Sequence, residues 1–171
     1  MINLTNFKIL SNLYICPTPI GNLQDISARV LDTLETVDVI YCEDTRRARK
    51  LVENFSITTP LKSYFVGNEK IKIAEIEKAL TNGKNVALIS DAGTPLISDP
   101  GNDLIRHLII NNFNIISIPG PSSVLTALTL SGFELSEFQF LGFVPKVSNE
   151  KKAFVVKLLN SEMPSVCFTS P

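Results

Sequence analysis

Residues 85–101 read NVALISDAGTPLISDPG, and this stretch decides the fold. Its start, Val86 to Ile89, is a continuous apolar run, which is typical of a strand buried on both faces of a parallel sheet. A run of small, polar and turn-forming residues follows, and the apolar residues after it recur with the spacing of one helix face. Because loops between a strand and a helix usually have ~2–6 residues, this longer loop indicates a ligand site. A plain turn is the alternative, since turns also use glycine, proline and aspartate.

Predicted strands and helices alternate five times from this stretch outward. Strands are predicted over residues 13–16, 37–42, 61–66, 86–89 and 112–118, the third of them at a sheet edge. Helices are predicted after residue 25, after residue 45, and over residues 69–80, 102–111 and 123–131. Such alternation predicts an α/β fold with an open, mostly parallel sheet and helices on both faces.

The character of the sequence changes after Gly132. An aromatic run, FQFLGFV at residues 138–144, precedes a predicted charged helix over about residues 149–160 and a last strand at 165–169. A strand, a helix and a strand cannot bury both faces of a sheet. We therefore expect an N-terminal α/β domain over residues 11–120. Residues 121–171 are expected to form a linking helix and the beginning of an incomplete second α/β domain.

Composition and charge exclude several classes of protein. Hydrophobic residues make up 44% of the 171 residues, which is enough for a sizeable core. The net charge of −1 gives no overall footprint for nucleic acid, so RNA binding would need a local basic patch. No apolar run approaches the ~20 residues of a membrane span, and the N-terminus has no signal-peptide pattern. Cys16, Cys42 and Cys167 are widely spaced, which indicates reduced thiols of a cytoplasmic protein and no metal site.

Four loops follow predicted strands at their carboxyl ends. They are TPIGN (18–22), EDTRR (43–47), SDAGTP (90–95) and PGPSS (119–123). In a parallel sheet these strand ends share one edge, so we expect the four loops to converge there. PGPSS leads directly into a helix, whose first amides can bind a carboxylate or a phosphate. Ser122 or Ser123 can equally be a simple N-cap of that helix.

Common nucleotide-binding and hydrolytic motifs are absent from the sequence. There is no GxGxxG, no GxxxxGK[ST] and no GxSxG, and the single histidine, His107, lies in a predicted helix. These absences disfavour hydrolytic triads and histidine-based metal sites. A site of this kind suits a cosubstrate that is already activated. Methyl transfer from S-adenosylmethionine is such a reaction, because the protein mainly has to align donor and acceptor.

The EDTRR segment carries the most charge near the predicted site. Glu43 and Asp44 are candidates to orient a substrate hydroxyl or to act as its general base. The basic residues that follow, which are candidates for phosphate contacts, are Arg46, Arg47, Arg49 and Lys50. An ordinary helix start explains the same pattern, with acidic residues ahead of a solvated basic face, and this alternative stays open.

Taken together and in this order, the four segments resemble the tetrapyrrole-methylase superfamily. The resemblance rests on LYICPTPIGNLQDISARVL (13–31), EDTRR, ALISDAGTPLISDPG (87–101) and IPGPSSVLTALTLSG (118–132). It runs from about Leu13 to Phe143 and continues more weakly to Pro171. Within the superfamily, the combination of TPIGN, EDTRR and SDAGTP is similar to the branch that methylates the ribose 2′-hydroxyl of a cytidine in small-subunit ribosomal RNA.

The resemblance implies a fold, a cosubstrate and a set of partners. It implies two α/β domains with S-adenosylmethionine in the cleft between them, a cytoplasmic homodimer without metal or membrane, and the small ribosomal subunit or its RNA as partner. The residues that it implies at the cosubstrate are Asp91, Ala92, Gly93, Thr94, Pro95, Ile97, Ser122, Ser123 and Ala127. The residues that it implies on the substrate side are Pro19, Gly21, Asn22, Thr45, Arg46 and Arg47. Family members are longer, so this chain is expected to be truncated, to carry part of the site and to be inactive on its own.

Two other functions remain open at this point. One is a methyltransferase of the same fold that acts on a tetrapyrrole, because an anionic macrocycle would also suit the basic EDTRR edge. The other, from a different class, is a non-catalytic binding or dimerisation module, which the incomplete second domain keeps possible. Binding of S-adenosylmethionine distinguishes the methyltransferases from the module.

Overall fold

The chain forms two compact units, one that ends at Pro121 and one that begins at Ser122. The computed structural model describes residues 11–170, so the start of the chain, on which the signal-peptide expectation rests, lies outside it. The first unit contains β1 (Asn12–Cys16), α1 (Ala28–Thr36), β2 (Val39–Cys42), α2 (Thr45–Asn54), β3 (Leu61–Ser63), α3 (Glu69–Thr81), β4 (Val86–Ile89), α4 (Asn102–Ile110) and β5 (Asn114–Ser117). The second contains α5 (Ser123–Leu130), β6 (Gln139–Phe143), α6 (Ser148–Leu159) and β7 (Ser165–Phe168). Within residues 11–170, no helix has the length and apolar character needed to span a membrane.

The sheet of the first unit is parallel throughout and has β4 at its centre. The strand order is β3-β2-β4-β1-β5. Because β4 pairs with β1 on one side and β2 on the other, Ile89 lies level with both Cys16 and Cys42. The three central strands therefore end together, and β3 lies at an edge as predicted. The predicted parallel α/β sheet is confirmed.

Two hydrophobic clusters cover the two faces of this sheet. Along β4, Ala87 and Ile89 belong to the cluster that includes α1 and α2, while Val86 and Leu88 belong to the cluster that includes α3 and α4. This division follows from the alternation of side chains along a strand. All four β4 side chains are buried, as the continuous apolar run predicts for a strand covered on both faces. Helices on both faces are thereby confirmed.

The strands β2, β3, β5 and β7 are each shorter than the sequence predicts, and β2 and β3 show the reason. The strand predicted from residue 37 begins at Val39, because α1 continues to Thr36 and the Val37 amide donates to the Thr33 carbonyl at 3.0 Å. The strand predicted over residues 61–66 ends at Ser63, because the chain then turns into α3. In both places local hydrogen bonds of a helix end or a turn outweigh the apolar β pattern.

The second unit contains a parallel pair of strands, β6 and β7, joined by α6. The ring of Phe168 lies against Phe140 and Phe143, with centroid distances of 4.9 and 5.2 Å. Gln139 Nε2 donates to Ser165 Oγ at 2.9 Å. A parallel pair needs a long crossover, which α6 supplies. The predicted strand–helix–strand order is confirmed, and the assignment of residues 121–171 to a second domain remains our proposal.

Candidate active site

The loops after β1 and β4 are joined into one body by hydrogen bonds. The Thr18 amide donates to the Gly93 carbonyl at 2.9 Å, and the Gly93 amide donates to the Thr18 carbonyl at 3.0 Å. The Thr18 hydroxyl donates to the Ser90 carbonyl at 3.1 Å, and the Ser90 hydroxyl donates to the Gly93 carbonyl at 2.8 Å. Both side chains are almost fully buried. Their polar groups therefore hold TPIGN against SDAGTP.

The loops after β2 and β5 are attached to the same body. Asp91 Oδ1 accepts a hydrogen bond from the Asp44 amide at 3.2 Å, and Asp91 Oδ2 lies 3.2 Å from Arg47 Nη1. The Thr94 hydroxyl donates to the Pro121 carbonyl at 2.9 Å. At Gly120, a Cβ atom would lie 2.8 Å from Pro17 Cβ, so only glycine permits this approach. The predicted convergence of the four loops is confirmed as far as Pro121.

The long loop after β4 has an unusual backbone. Leu96 and Ser98 have positive φ angles of 75° and 69°, a conformation that side-chain-bearing residues rarely adopt. Gly101, with φ of 128°, ends the loop at a point where a Cβ atom would lie 2.7 Å from Leu96 Cδ2. Strained backbone of this kind clusters at functional sites. The loop therefore has a specific, strained backbone conformation, which favours a ligand site over a plain turn.

An acidic cluster lies beside this loop, and sequence analysis missed one of its members. Asp99 and Glu43 line the same small cavity with Tyr64. Burial, together with the negative charges of Glu43 and Asp91, raises the pKa of Asp99 to about 6. Burial and the charge of Asp91 also raise the pKa of Glu43. Asp99 is eight residues beyond Asp91, and only the folded loop returns it to Glu43, so no spacing rule identifies it.

Asp44 has a different environment from its neighbour Glu43. It is the N-cap of α2, with Oδ1 accepting from the Arg46 amide at 2.8 Å and from Arg46 Nε at 3.1 Å. Its other oxygen, Oδ2, accepts from Arg46 Nη2 at 2.7 Å. These hydrogen bonds hold the pKa of Asp44 well below its usual range. The arrangement fits the alternative that Asp44 is an ordinary N-cap at the start of α2, whose first residue is Thr45.

A basic surface adjoins the acidic cluster. It consists of the exposed side chains Arg46, Arg47, Arg49 and Lys50 on the first turns of α2. Arg46 pairs with Asp44, and Arg47 pairs with Asp91. Within residues 11–170, Arg49 and Lys50 have no ion-pair partner. The edge of the sheet therefore presents carboxylates on one side and unpaired cations on the other.

The other residues predicted on the substrate side lie in the loop after β1. Pro19 lines a groove together with Arg47. Asn22 Oδ1 accepts from the Gln24 amide at 3.0 Å and caps a short 3-10 turn over Leu23–Asp25. Gly21 is exposed. Their contacts with a substrate remain predictions.

The residues predicted at the cosubstrate belong to two different units. Ala92 and Ile97 are exposed on the loop after β4, and Pro95 is buried in it. In the second unit, the Ser122 hydroxyl accepts from the Leu125 amide at 3.4 Å as the N-cap of α5. The two residues of that unit that follow it in the predicted set are Ser123, the first residue of α5, and Ala127. These assignments also remain predictions.

Metal-binding geometry is lacking in the described part of the chain. Among residues 11–170, no group of three or more histidine, cysteine or acidic side chains is placed to hold a metal ion. His107 is half-exposed on α4, and its Nε2 lies 2.9 Å from Glu77 Oε2. This partner gives His107 a structural contact on the face of the sheet that carries α3 and α4.

Known proteins share both the sequence and the fold. The ribosomal RNA small subunit methyltransferase I of Vibrio cholerae serotype O1 is 42% identical over 159 residues, which are 93% of this chain and 55% of that protein. The protein of the same name from Thermotoga maritima is also 42% identical, over 93% of this chain and 71% of that protein. The protein of the same name from Rickettsia prowazekii is 44% identical, over 92% of this chain and 56% of that protein. The chain thus spans about half the length of the first and third of these relatives.

Solved structures give the same fold. The crystal structure of diphthine synthase matches with a TM-score of 0.75 over 94% of this chain and 64% of that chain. The crystal structure of uroporphyrin-III-C-methyltransferase from Thermus thermophilus matches with a TM-score of 0.58 over 80% of this chain and 60% of that chain. Both are 18% identical to this chain, so these likenesses concern the fold. The family described as Tetrapyrrole (Corrin/Porphyrin) Methylases matches residues 12–171, and the chain therefore belongs to the tetrapyrrole methylase family, as its motifs predict.

Proposed function

We propose that the protein is an S-adenosylmethionine-dependent methyltransferase that acts on the ribose 2′-hydroxyl of a cytidine in small-subunit ribosomal RNA. The observation that carries this proposal is the similarity, at 40–44% identity, to relatives named ribosomal RNA small subunit methyltransferase I. The similarity covers all four converging loops. We further propose that the protein works in the cytoplasm as a homodimer, with the small ribosomal subunit or its RNA as partner.

The loop after β4 fits a cosubstrate that needs close backbone contact. Gly93 has φ of 81°, and the space beside its missing Cβ is bordered by Ile20 at 3.4 Å. Its neighbours Ala92 and Thr94 are also small. S-adenosylmethionine, when bound, supplies an electrophilic methyl group on a neutral leaving thioether. The adjacent carboxylates of Asp99 and Glu43 complement the positive charge of its sulfonium group.

Glu43 is our candidate for the general base. Its raised pKa makes its carboxylate a better proton acceptor than that of Asp44, whose pKa is lowered. Within residues 11–170, the Glu43 side chain has no hydrogen-bond or ion-pair partner, so its oxygens are available to a ribose hydroxyl. Glu43 would take the hydroxyl proton as the oxygen becomes methylated. Asp44 would act by positioning α2 and Arg46.

The basic surface of α2 would hold the RNA. Arg46 and Arg47, which the sequence predicts on the substrate side, are exposed on the first turn of α2. Thr45, the third residue of this predicted set on α2, begins the helix and is half-buried. Arginine pairs with phosphate oxygens through a planar fork of donors, and these contacts position a nucleic acid without reading its sequence. The neighbouring carboxylates would repel phosphate, which keeps the backbone on the α2 side of the site.

Two assays on the purified chain test the proposal. Calorimetric titration measures binding of S-adenosylmethionine and S-adenosylhomocysteine. Transfer of labelled methyl groups is then measured with unmethylated small subunits and with a carboxylated tetrapyrrole as alternative acceptors. We expect cosubstrate binding, with any label that the chain transfers found in 2′-O-methylcytidine. Label in the tetrapyrrole alone contradicts RNA as the acceptor, whereas cosubstrate binding without transfer to either acceptor agrees with the expectation that this chain carries part of the site. A stable dimer that binds no cosubstrate indicates a non-catalytic module.

Substitution of the acidic residues separates their roles. Glu43→Gln keeps the shape of the side chain and removes the base, so we expect transfer to fall by about 100-fold or more with cosubstrate binding retained. Asp44→Asn keeps an N-cap and is expected to retain most of the transfer. Glu53→Gln, an exposed change further along α2, is the matched control. Loss of transfer in Asp44→Asn, with full activity in Glu43→Gln, would assign the base to Asp44.

A further inference from the structure

A groove runs along one face of α2, beside the basic surface that is proposed to hold the RNA backbone. Its α2 wall carries Arg47, Lys50, Leu51 and Asn54. These positions are spaced i, i+3, i+4 and i+7, so they share one helix face over about 10 Å. Pro19 and Leu23, from the loop after β1, form the opposite wall. All of these residues belong to the first unit.

The floor of the groove has no free polar groups, whereas its walls do. The Thr18 and Ser90 hydroxyls at the floor already donate to backbone carbonyls. By contrast, the exposed side chains of Lys50 and Asn54 have no hydrogen-bond or ion-pair partner within residues 11–170. Leu23 is apolar and yet 44% exposed. The groove therefore offers an apolar wall, a free carboxamide and a free ammonium group to a ligand.

The dimensions and chemistry of the groove fit one nucleotide. Its volume is about 230 Å³, below the ~300–1,000 Å³ of sites for drug-sized ligands, which suits a single base. A flat base needs apolar contact with its ring and hydrogen-bonding groups at its edge. Leu23 with Leu51 supplies the first, and the Asn54 carboxamide supplies the second, since it both donates and accepts. Lys50 can bind the attached phosphate.

We propose that this groove binds the base of an unpaired nucleotide that flanks the methyl acceptor in the RNA. The inference rests on the proposed function and deepens it, because it gives the enzyme a contact with a base besides those with the backbone. The groove is continuous with the site at the end of β4, since Arg47 and its ion-pair partner Asp91 both line it. Substrate RNA must therefore be single-stranded where it crosses α2.

Fluorescence anisotropy with a short, 5′-labelled oligocytidylate tests the inference. Asn54→Ala removes the hydrogen-bonding edge and is expected to weaken binding by about threefold to tenfold. Leu23→Ser removes the apolar wall and is expected to weaken it by a similar factor. The matched control is Asn82→Ala, because Asn82 is an exposed residue at the end of α3 whose side chain makes no hydrogen bond within the described residues 11–170. A probe of the same length without bases is expected to bind wild type and Asn54→Ala equally.

The outcomes separate this inference from the proposed function. Weaker oligonucleotide binding in the groove variants, with unchanged calorimetric binding of S-adenosylmethionine, supports the nucleotide groove. Equal binding of the oligonucleotide by wild type and both variants, or no binding by wild type, overturns it even where methyl transfer to RNA is found. Loss of S-adenosylmethionine binding in the same variants overturns it in favour of a cosubstrate subsite. Circular dichroism and tyrosine fluorescence verify that each variant is folded.

Discussion

Replacing Asp99 by asparagine is expected to stabilise the protein above pH 6 and to leave it unchanged in acid. The folded chain raises the pKa of Asp99 from 3.8 to about 6, chiefly through burial and secondarily through the charges of Glu43 and Asp91. Between these two pH values the folded chain keeps a proton that the unfolded chain releases. The free energy of unfolding therefore falls as pH rises through this window and levels off above it. Asparagine at this position carries no charge, so the Asp99→Asn variant keeps the free energy of unfolding that the wild type loses as pH rises.

The size of the effect follows from the same numbers. A rise from 3.8 to about 6 corresponds to a ceiling of about 3 kcal/mol, at 1.36 kcal/mol per pH unit. Asp99 is half-buried and water screens its neighbours, so we expect a gain of about 1–2 kcal/mol at neutral and higher pH. Urea unfolding at about pH 3, below the unfolded pKa, and at about pH 8 measures it. The chain has no tryptophan, and its three tyrosines lie in the first unit, so tyrosine fluorescence reports the unit that contains Asp99.

Asp32→Asn is the matched control, because Asp32 is exposed in α1 and its side chain has no ion-pair partner within residues 11–170. We expect its unfolding curves to match those of the wild type at both pH values. Equal stability of Asp99→Asn and wild type at high pH would refute the reasoning. It would mean that the cavity shared with Glu43 solvates the Asp99 carboxylate as well as water does.

Three further predictions concern the loop, the core and the thiols. Gly101→Ala is expected to lower the free energy of unfolding by about 1–3 kcal/mol in urea titration, because the positive φ and the 2.7 Å contact both disfavour a Cβ atom. Leu108→Ala leaves a cavity at a fully buried site and is expected to cost about 2–5 kcal/mol in the same assay. In the native protein a thiol reagent at mildly alkaline pH is expected to label Cys167 only, since burial raises the pKa of both Cys16 and Cys42 to about 12.

Each of these predictions has a control within the chain. Gly67→Ala has a similarly positive φ of 109° in open space, so a loss as large as that of Gly101→Ala would show that the contact with Leu96 costs nothing. Ile110→Ala changes an exposed residue of the same helix as Leu108, and comparable losses in the two would contradict a buried core there. Labelling of all three thiols without denaturant would contradict the burial of Cys16 and Cys42.

Most of the fold could be predicted because its pattern is local. The continuous apolar run of β4 identifies a strand covered on both faces, and the loop positions follow from where such runs end. Errors arose where two local preferences competed. Val37 fits a β pattern, and it caps α1 instead because its amide completes a helical hydrogen bond to Thr33. The sequence does not show which of the two preferences prevails, since the apolar Val37 suits both the start of a strand and the end of a helix.

The site was less predictable, because its important contacts join residues far apart in the chain. Asp91 was expected at the cosubstrate, and in the structure its carboxylate accepts from the Asp44 amide and pairs with Arg47. Asp44 was, with Glu43, one of two candidates to orient a substrate hydroxyl or to act as its base, and its oxygens accept hydrogen bonds from Arg46. Sequence motifs indicate which residues come together in the fold. They do not indicate which of the carboxylate oxygens already accept a hydrogen bond or form an ion pair, because that depends on the geometry of the side chains.

The placement of charge at the end of β4 explains why a protein of nearly neutral net charge can suit both a cation and a polyanion. Asp91 lies between the two kinds of surface: on one side its charge adds to burial and to the charge of Glu43 in raising the pKa of Asp99, and on the other side it pairs with Arg47. A sulfonium cation is favoured where carboxylates lack a paired cation, and phosphate is favoured where Lys50 lacks a paired acid. Asp91 lies 3.2 Å from Arg47, well inside the screening length of about 8 Å in physiological salt, so salt alone does not separate the two surfaces. Their separation depends on the loop after β4, which places Asp91 at the boundary between them.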